Sequence, residues 1–357
     1  MAGCGRCETL PKEPQNRSTF FIALPIDLLT GKLRKILEEE KACFREMTET
    51  LFAIQLEDGL LARLSRKFQE TFNKMELQDT KCVLLPDSSN LSVQDILKAE
   101  TLGTLVARME AVWLIDILRR ERLYSVFQPI VYAKCPDEVF GYEILLRGLN
   151  QDGSMASPGQ MLAAAKEADL LFFLDRTARI QGIRSAHEYK VKGNLFLNFF
   201  PSAIYDPRHC LISTVAALHE TGIAYENVVF EVVESEYIKD SSHLVTLINY
   251  YREAGFKVAL DDIGSGYSSL NLLVELRPDF IKIDLYLIRD VDTDIYKQRI
   301  VAKLLEVAQQ LGIRSVAEGV ETVGEYNWLK EHGADLVQGY LLGKPARLPE
   351  KPNFTTR

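Results

Sequence analysis

The feature that most constrains this chain is a repeat of pattern rather than of residues: from about Phe127 onward, short apolar runs alternate with segments of helical period. The runs are Phe127 to Tyr132, Val139 to Leu146, Leu195 to Phe199, Val228 to Val233, Lys257 to Leu260, Phe280 to Ile283, Ser315 to Ala317 and Leu336 to Gly339, eight in all. Between them, sets such as Leu211, Ile212, Val215, Leu218 and Leu304, Leu305, Ala308, Leu311 recur at helical spacing, and Gly222, Gly255, Gly312 and Gly333 precede the next run. A glycine there supplies the positive φ that commonly closes a helix. Strands alternating with crossover helices predict a parallel sheet. Eight of them favour an α/β fold of the (β/α)8 barrel type, with an open doubly wound sheet as the alternative. Only about half a dozen residues separate the first two runs. A parallel crossover needs a dozen or more, so the first strand is expected to run antiparallel to the second.

The first ~90 residues lack that pattern. Phe20 to Pro25, Leu51 to Gln55 and Lys81 to Leu85 read as three strands, with helical patterns at Leu33 to Cys43 and Leu60 to Phe72. A small α/β N-terminal domain is expected over residues 1–90, a long linker helix over 91–122 and the barrel over 123–350. Within the linker, Leu102, Leu105, Met109 and Val112 fall at coiled-coil spacing. It reads either as a connecting helix or as a dimerising signalling helix.

Composition narrows the function classes. Hydrophobic residues make up 47% and charged residues 26%, which excludes disorder for the bulk of the chain. No run approaches the ~18 apolar residues of a membrane span, since Val112 to Leu118 contains Asp116. A net charge of -8 argues against DNA or an anionic membrane as partner, so an anionic ligand would need a local cation. With six Cys and no hydrophobic leader, the chain reads as cytoplasmic, and five His weaken an imidazole zinc site. Cys4 and Cys7 admit a zinc or redox reading or a plain tail; Cys43 and Cys82 are isolated and form no second pair.

In a barrel, catalytic groups gather at the C-terminal ends of the strands. The polar residues that interrupt or follow the apolar runs are Glu143, Asn198, Glu231, Asp261 with Asp262, Lys282, Glu318 and Gln338. One such acid reads as an ordinary exposed side chain. A converging set of carboxylates needs cations among them, and an all-oxygen set suits Mg²⁺ or Mn²⁺. The adjacent acids Asp261 and Asp262 offer oxygens to two ions. A glycoside hydrolase also uses paired acids, but Asn198, Lys282 and Arg147 fit a metal and phosphate site better, and only two Trp are present to stack sugars.

The segments Phe127-Gln128-Pro129-Ile130-Val131, Glu143-Ile144-Leu145-Leu146-Arg147, Leu197-Asn198, Glu231 to Ser235, Asp261 to Leu270, Ile281 to Asp284, Ala317 to Thr322 and Gln338-Gly339-Tyr340 together resemble EAL domains. These are bacterial signal-transduction phosphodiesterases that open cyclic di-GMP to linear pGpG. The resemblance spans roughly Leu123 to Leu348 and implies a modified barrel with an antiparallel first strand. By position it implies that Glu143, Asn198, Glu231 and Asp261 hold one of two ions and that Asp261, Asp262 and Glu318 help hold the second, with a water between them as nucleophile. Lys282 would orient that water, Glu318 would act as general base, Arg147 would bind a phosphate oxygen, and Gln128 and Gln338 would touch guanine or backbone. Glu234 would steady the loop after the Asp pair and Asp284 would support the ligands; Glu321 belongs to the signature without a role. A homodimer is also implied. The chain departs from the family at Ile144, Val233 and Ile263, but keeps every proposed ligand. The alternative to an enzyme is a cyclic di-GMP receptor without catalysis, signalling through the N-terminal region to an unidentified partner.

Overall fold

The computed structural model describes residues 10–11, 18–86, 91–204, 206–233, 241–264 and 269–352. Cys4, Cys7, Glu234 and the loop residues Gly266 to Ser268 lie outside the described residues. Two compact units emerge, one running to Glu121 and including Ala156–Leu171, the other built from Arg122–Met155 and the chain from Phe172 on.

The first unit has five strands where the sequence predicts three: β1 (Ser18–Ala23), β2 (Cys43–Glu46), β3 (Leu51–Leu56), β4 (Lys81–Pro86) and β5 (Glu100–Thr101). Their order is β2-β3-β1-β4-β5, with every pair antiparallel. Alternation along β1 and β3 sends Phe20, Ile22, Phe52 and Ile54 to one face, where helices Thr30–Glu39 and Leu60–Thr71 cover them with Leu33, Ile36, Leu64 and Phe68. The strand β2 escaped notice because it is a mostly exposed edge with no apolar run.

The long linker helix expected over 91–122 is instead three short helices, Val93–Leu97, Leu102–Glu110 and Val112–Arg119. The Thr101 hydroxyl caps the second by accepting from the Thr104 backbone N–H at 3.0 Å, while β5 just before it pairs with β4. Leu102 and Leu105 are buried in the core of the N-terminal sheet, with Met109 packed against it and Val112 exposed. Their spacing therefore reflects packing within the unit rather than a dimerisation seam. Helix Pro158–Glu167, expected in the barrel, packs in this unit against the second and third of these helices.

The second unit contains every strand predicted for the barrel. The strands of its sheet are β6 (Leu123–Tyr132), β7 (Cys135–Leu149), β8 (Met155–Ala156), whose second residue belongs to the first unit, β9 (Asn194–Phe199), β10 (Val228–Val233), β11 (Lys257–Ile263), β12 (Phe280–Ile283), β13 (Arg314–Ala317) and β14 (Leu336–Val337). Closure runs β6-β14-β13-β12-β11-β10-β9-β7 and back to β6. The first strand is antiparallel to both neighbours, β7 and β14, and the remaining barrel pairs are parallel. Gly222, Gly255, Gly312 and Gly333 all take positive φ, as their helix-ending positions require.

Alternation sorts the barrel side chains into two sets. Outward residues such as Leu197, Phe199, Phe230, Val232 and Leu260 meet the helices in one large cluster. Inward, Ile130, Phe140, Phe196, Val229, Ala259, Phe280, Val316 and Leu336 form a separate apolar cluster with one member per strand. That cluster is the floor on which the polar layer rests.

Candidate active site

Moving two residues along each strand from the floor reaches a polar residue on the same inner face. Phe196 leads to Asn198, Val229 to Glu231, Ala259 to Asp261, Phe280 to Lys282, Val316 to Glu318 and Leu336 to Gln338. On antiparallel β6 the step reverses, from Ile130 to Gln128. On β7 a register shift opposite Ile130 and Val131 inserts Phe140, so that Glu143 lies opposite Gln128. Bulging there brings the backbones close. A Cβ on Gly141 would lie 2.3 Å from the Asn194 carbonyl oxygen, so only glycine fits.

Adjacent residues on a regular strand face opposite ways, which would send one of Asp261 and Asp262 outward. The register of β11 against β12 shifts between Leu260 and Ile263, leaving an extra residue, and Asp262 adopts φ 59°. Ile263 thereby returns to the outward core while both acids stay at the mouth. Asp261, Asp262 and Glu318 each present an oxygen within 4.8 Å of one another. The close approach of Gly339 to the Val320 backbone, 2.1 Å from a would-be Cβ, lets the chain after β14 turn just beyond Gln338.

Lys282, 1% exposed, occupies the centre. Its Nζ lies 2.5 Å from Glu318 Oε1, 2.7 Å from Glu231 Oε1, 3.1 Å from Asp261 Oδ1 and 4.0 Å from Glu143 Oε2. Glu143 also accepts from Gln338 Nε2 at 2.6 Å and from Asn198 Nδ2 at 3.4 Å. Burial works against the Lys282 ammonium, but Asp261, Glu143, Glu231 and Glu318 outweigh it and raise its pKa. Four carboxylates exceed what one ammonium balances. Burial therefore pushes Glu231 well above the usual carboxylate range, against the pull of Lys282, and raises Glu318 in the same way. Burial, aided by Asp261 and Asp284, lifts Asp262 to about 6. The fully buried Glu231 Oε2 accepts no hydrogen bond among the described groups. An excess of buried anionic oxygens with an orphaned acceptor fits hard divalent cations.

Other predicted residues fall around this cluster. Arg147 lies two turns of the pleat beyond Glu143 on β7 and donates from Nη1 to the Leu146 carbonyl at 2.8 Å. Gln128 donates to the Gly343 carbonyl at 3.4 Å. Asp284 caps helix Leu285–Ile288 through the Tyr286 N–H, and its charge is felt by Asp262. Glu321 is joined to Arg289 at 2.7 Å. Asp175 and Arg179, which the sequence pattern does not single out, form a fully buried ion pair; their one local signal is opposite charges one turn apart on a helix.

The model of the EAL domain matches residues 110–345, well over half of the 357-residue chain. Among curated proteins, the probable cyclic di-GMP phosphodiesterase PdeG of Escherichia coli (strain K12) is 31% identical over 239 residues, covering 64% of this chain and 46% of its own length. The chain thus spans less than half of that relative. Among solved structures, the c-di-GMP bound form of a standalone EAL protein from Vibrio cholerae O395 is 35% identical, with a TM-score of 0.59, covering 65% of this chain and 95% of its own. BlrP1 of Klebsiella pneumoniae, solved as a manganese and cy-diGMP complex, covers 94% of this chain and 98% of its own at 22% identity with a TM-score of 0.59, a likeness of fold. With its antiparallel first strand and its ring of strand-end acids, this chain belongs to the EAL domain family.

Proposed function

We propose that this protein hydrolyses cyclic di-GMP to linear pGpG in the cytoplasm, using two divalent cations, Mg²⁺ or Mn²⁺. The observation that carries the reading is the buried excess of carboxylates around Lys282, which leaves Glu231 Oε2 without a donor among the described residues. Glu143, Asn198, Glu231 and Asp261 would hold one ion, and Asp261, Asp262 and Glu318 the other. Bound there, the ions supply the Lewis acidity that makes water nucleophilic near neutral pH. Arg147 then binds a phosphate oxygen through its planar fork, with Gln128 and Gln338 as further substrate contacts. Lys282 holds the acids in register and stabilises developing negative charge. Glu318, beside Lys282 and within reach of the Asp261 and Asp262 oxygens, serves as general base. Asp284 supports the ligands through its charge beside Asp262.

The test is direct. Purified protein with cyclic di-GMP and either metal should yield the linear dinucleotide. Tight binding without turnover would identify a receptor instead, and no binding would end both readings.

The raised carboxylate pKa values make the metal-free protein pH-sensitive. Asp262, Glu231 and Glu318 keep their protons to higher pH when folded than when unfolded. Their contribution is fully present below the unfolded carboxylate pKa and is lost as pH rises, through about 6 for Asp262. Melting temperature in chelator should therefore fall as pH rises through that window, and added Mn²⁺ should flatten or reverse the slope. A slope unaffected by Mn²⁺ would count against the metal assignment.

A homodimer is part of the proposal. Leu285, Tyr286, Tyr296 and Ile300 lie exposed on helices Leu285–Ile288 and Ile295–Leu311, apolar surface that a second copy would cover. Light scattering should give twice the chain mass, and a monomeric mass with full activity would contradict it. The N-terminal unit is left to receive an unidentified signal or partner. No described helix is long and apolar enough to cross a membrane.

A further inference from the structure

Asn198 sits at the last ladder position but one of β9, where the chain is about to leave the sheet. The ladder with β10 ends at Phe199, paired with Val232. The next backbone N–H, that of Phe200, donates to Asp175 Oδ1 at 3.2 Å. Asp175 is buried on helix Leu171–Glu188, and its other oxygen pairs with Arg179 Nη2 at 2.9 Å, one turn on. Arg179 is itself 1% exposed. Its Nε reaches the Asp175 carbonyl at 3.5 Å, its Nη1 donates to the buried Thr214 hydroxyl at 3.3 Å, and its guanidinium lies 5.7 Å from the Phe199 ring centroid.

An apolar pair of similar volume would fill this buried space on the helix as favourably as a buried ion pair does, because desolvation offsets most of the attraction. What an apolar pair lacks is an acceptor for the strand's last N–H. We infer that Asp175, held in place by Arg179, is a positioning residue: it anchors the exit of β9 and so fixes the Asn198 amide, which donates to Glu143 at 3.4 Å. The inference rests on the metal reading above, with the Asn198 oxygen as a ligand.

The test compares two variants that lose the same charge, Asp175→Asn and Asp175→Leu, by titrating Mn²⁺ and measuring the free ion by electron paramagnetic resonance. Only the Asn variant keeps an acceptor oxygen. Affinity should fall tenfold or more in Asp175→Leu and less than threefold in Asp175→Asn. Equal affinities in both variants would overturn the inference while leaving the metal reading intact. Should the Leu variant fail to fold, Arg179→Lys keeps the buried charge but not the fork. It should weaken Mn²⁺ binding threefold or more, and wild-type affinity there would overturn the inference equally. Wild-type protein that binds no Mn²⁺ would sink the metal reading and this inference with it.

Discussion

Lys282→Met is expected to lower turnover by on the order of a hundredfold or more, about 2.7 kcal/mol of barrier, and to destabilise the metal-free protein by about 3–5 kcal/mol. The two effects share one cause. The ammonium is 1% exposed and within 3.1 Å of Glu318, Glu231 and Asp261, so removing it leaves several buried acids facing one another. Methionine keeps most of the length and the apolar stem, which limits the loss from packing. Urea denaturation in chelator and in Mn²⁺ separates charge from shape: the added cation should restore most of the lost stability without restoring turnover. A variant with wild-type turnover would remove Lys282 from the reaction.

Glu143→Ala should reduce turnover by roughly a thousandfold or more, about 4 kcal/mol of barrier. Glu143 accepts from Gln338 at 2.6 Å and from Asn198 at 3.4 Å, and lies 4.0 Å from Lys282. Losing it removes an expected metal oxygen and frees the two amides that flank it. Glu321→Ala is the matched control, because that acid pairs with Arg289 away from Lys282 and should change turnover less than threefold. Rates with saturating Mg²⁺ and Mn²⁺ check both, and activity surviving Glu143→Ala would refute the ligand assignment.

The site was legible because a barrel converts period into place. A floor residue and a polar residue two positions apart on a strand need no tertiary knowledge to be paired, and seven such pairs point to one mouth. Phe140 and Asp262 break that regularity. Both occupy register shifts, and a shift depends on the neighbouring strand rather than on local composition. The same limit misread residues 91–122: Leu102, Leu105 and Met109 carry a helical spacing that suits a coiled coil or a core, and only the sheet beneath them decides between the two.

Reading along the chain is enough for the eight strands, the reversed first strand and the acids at their ends, since spacing, loop length and side-chain alternation are local properties. The centring of Lys282 among Glu231, Asp261 and Glu318, the turning of both adjacent Asp residues into the mouth, and the bond from Asp175 to the end of β9 required the fold. Each depends on where a second, distant segment lies, and burial then sets the charge state of these groups by removing the water that would otherwise screen them.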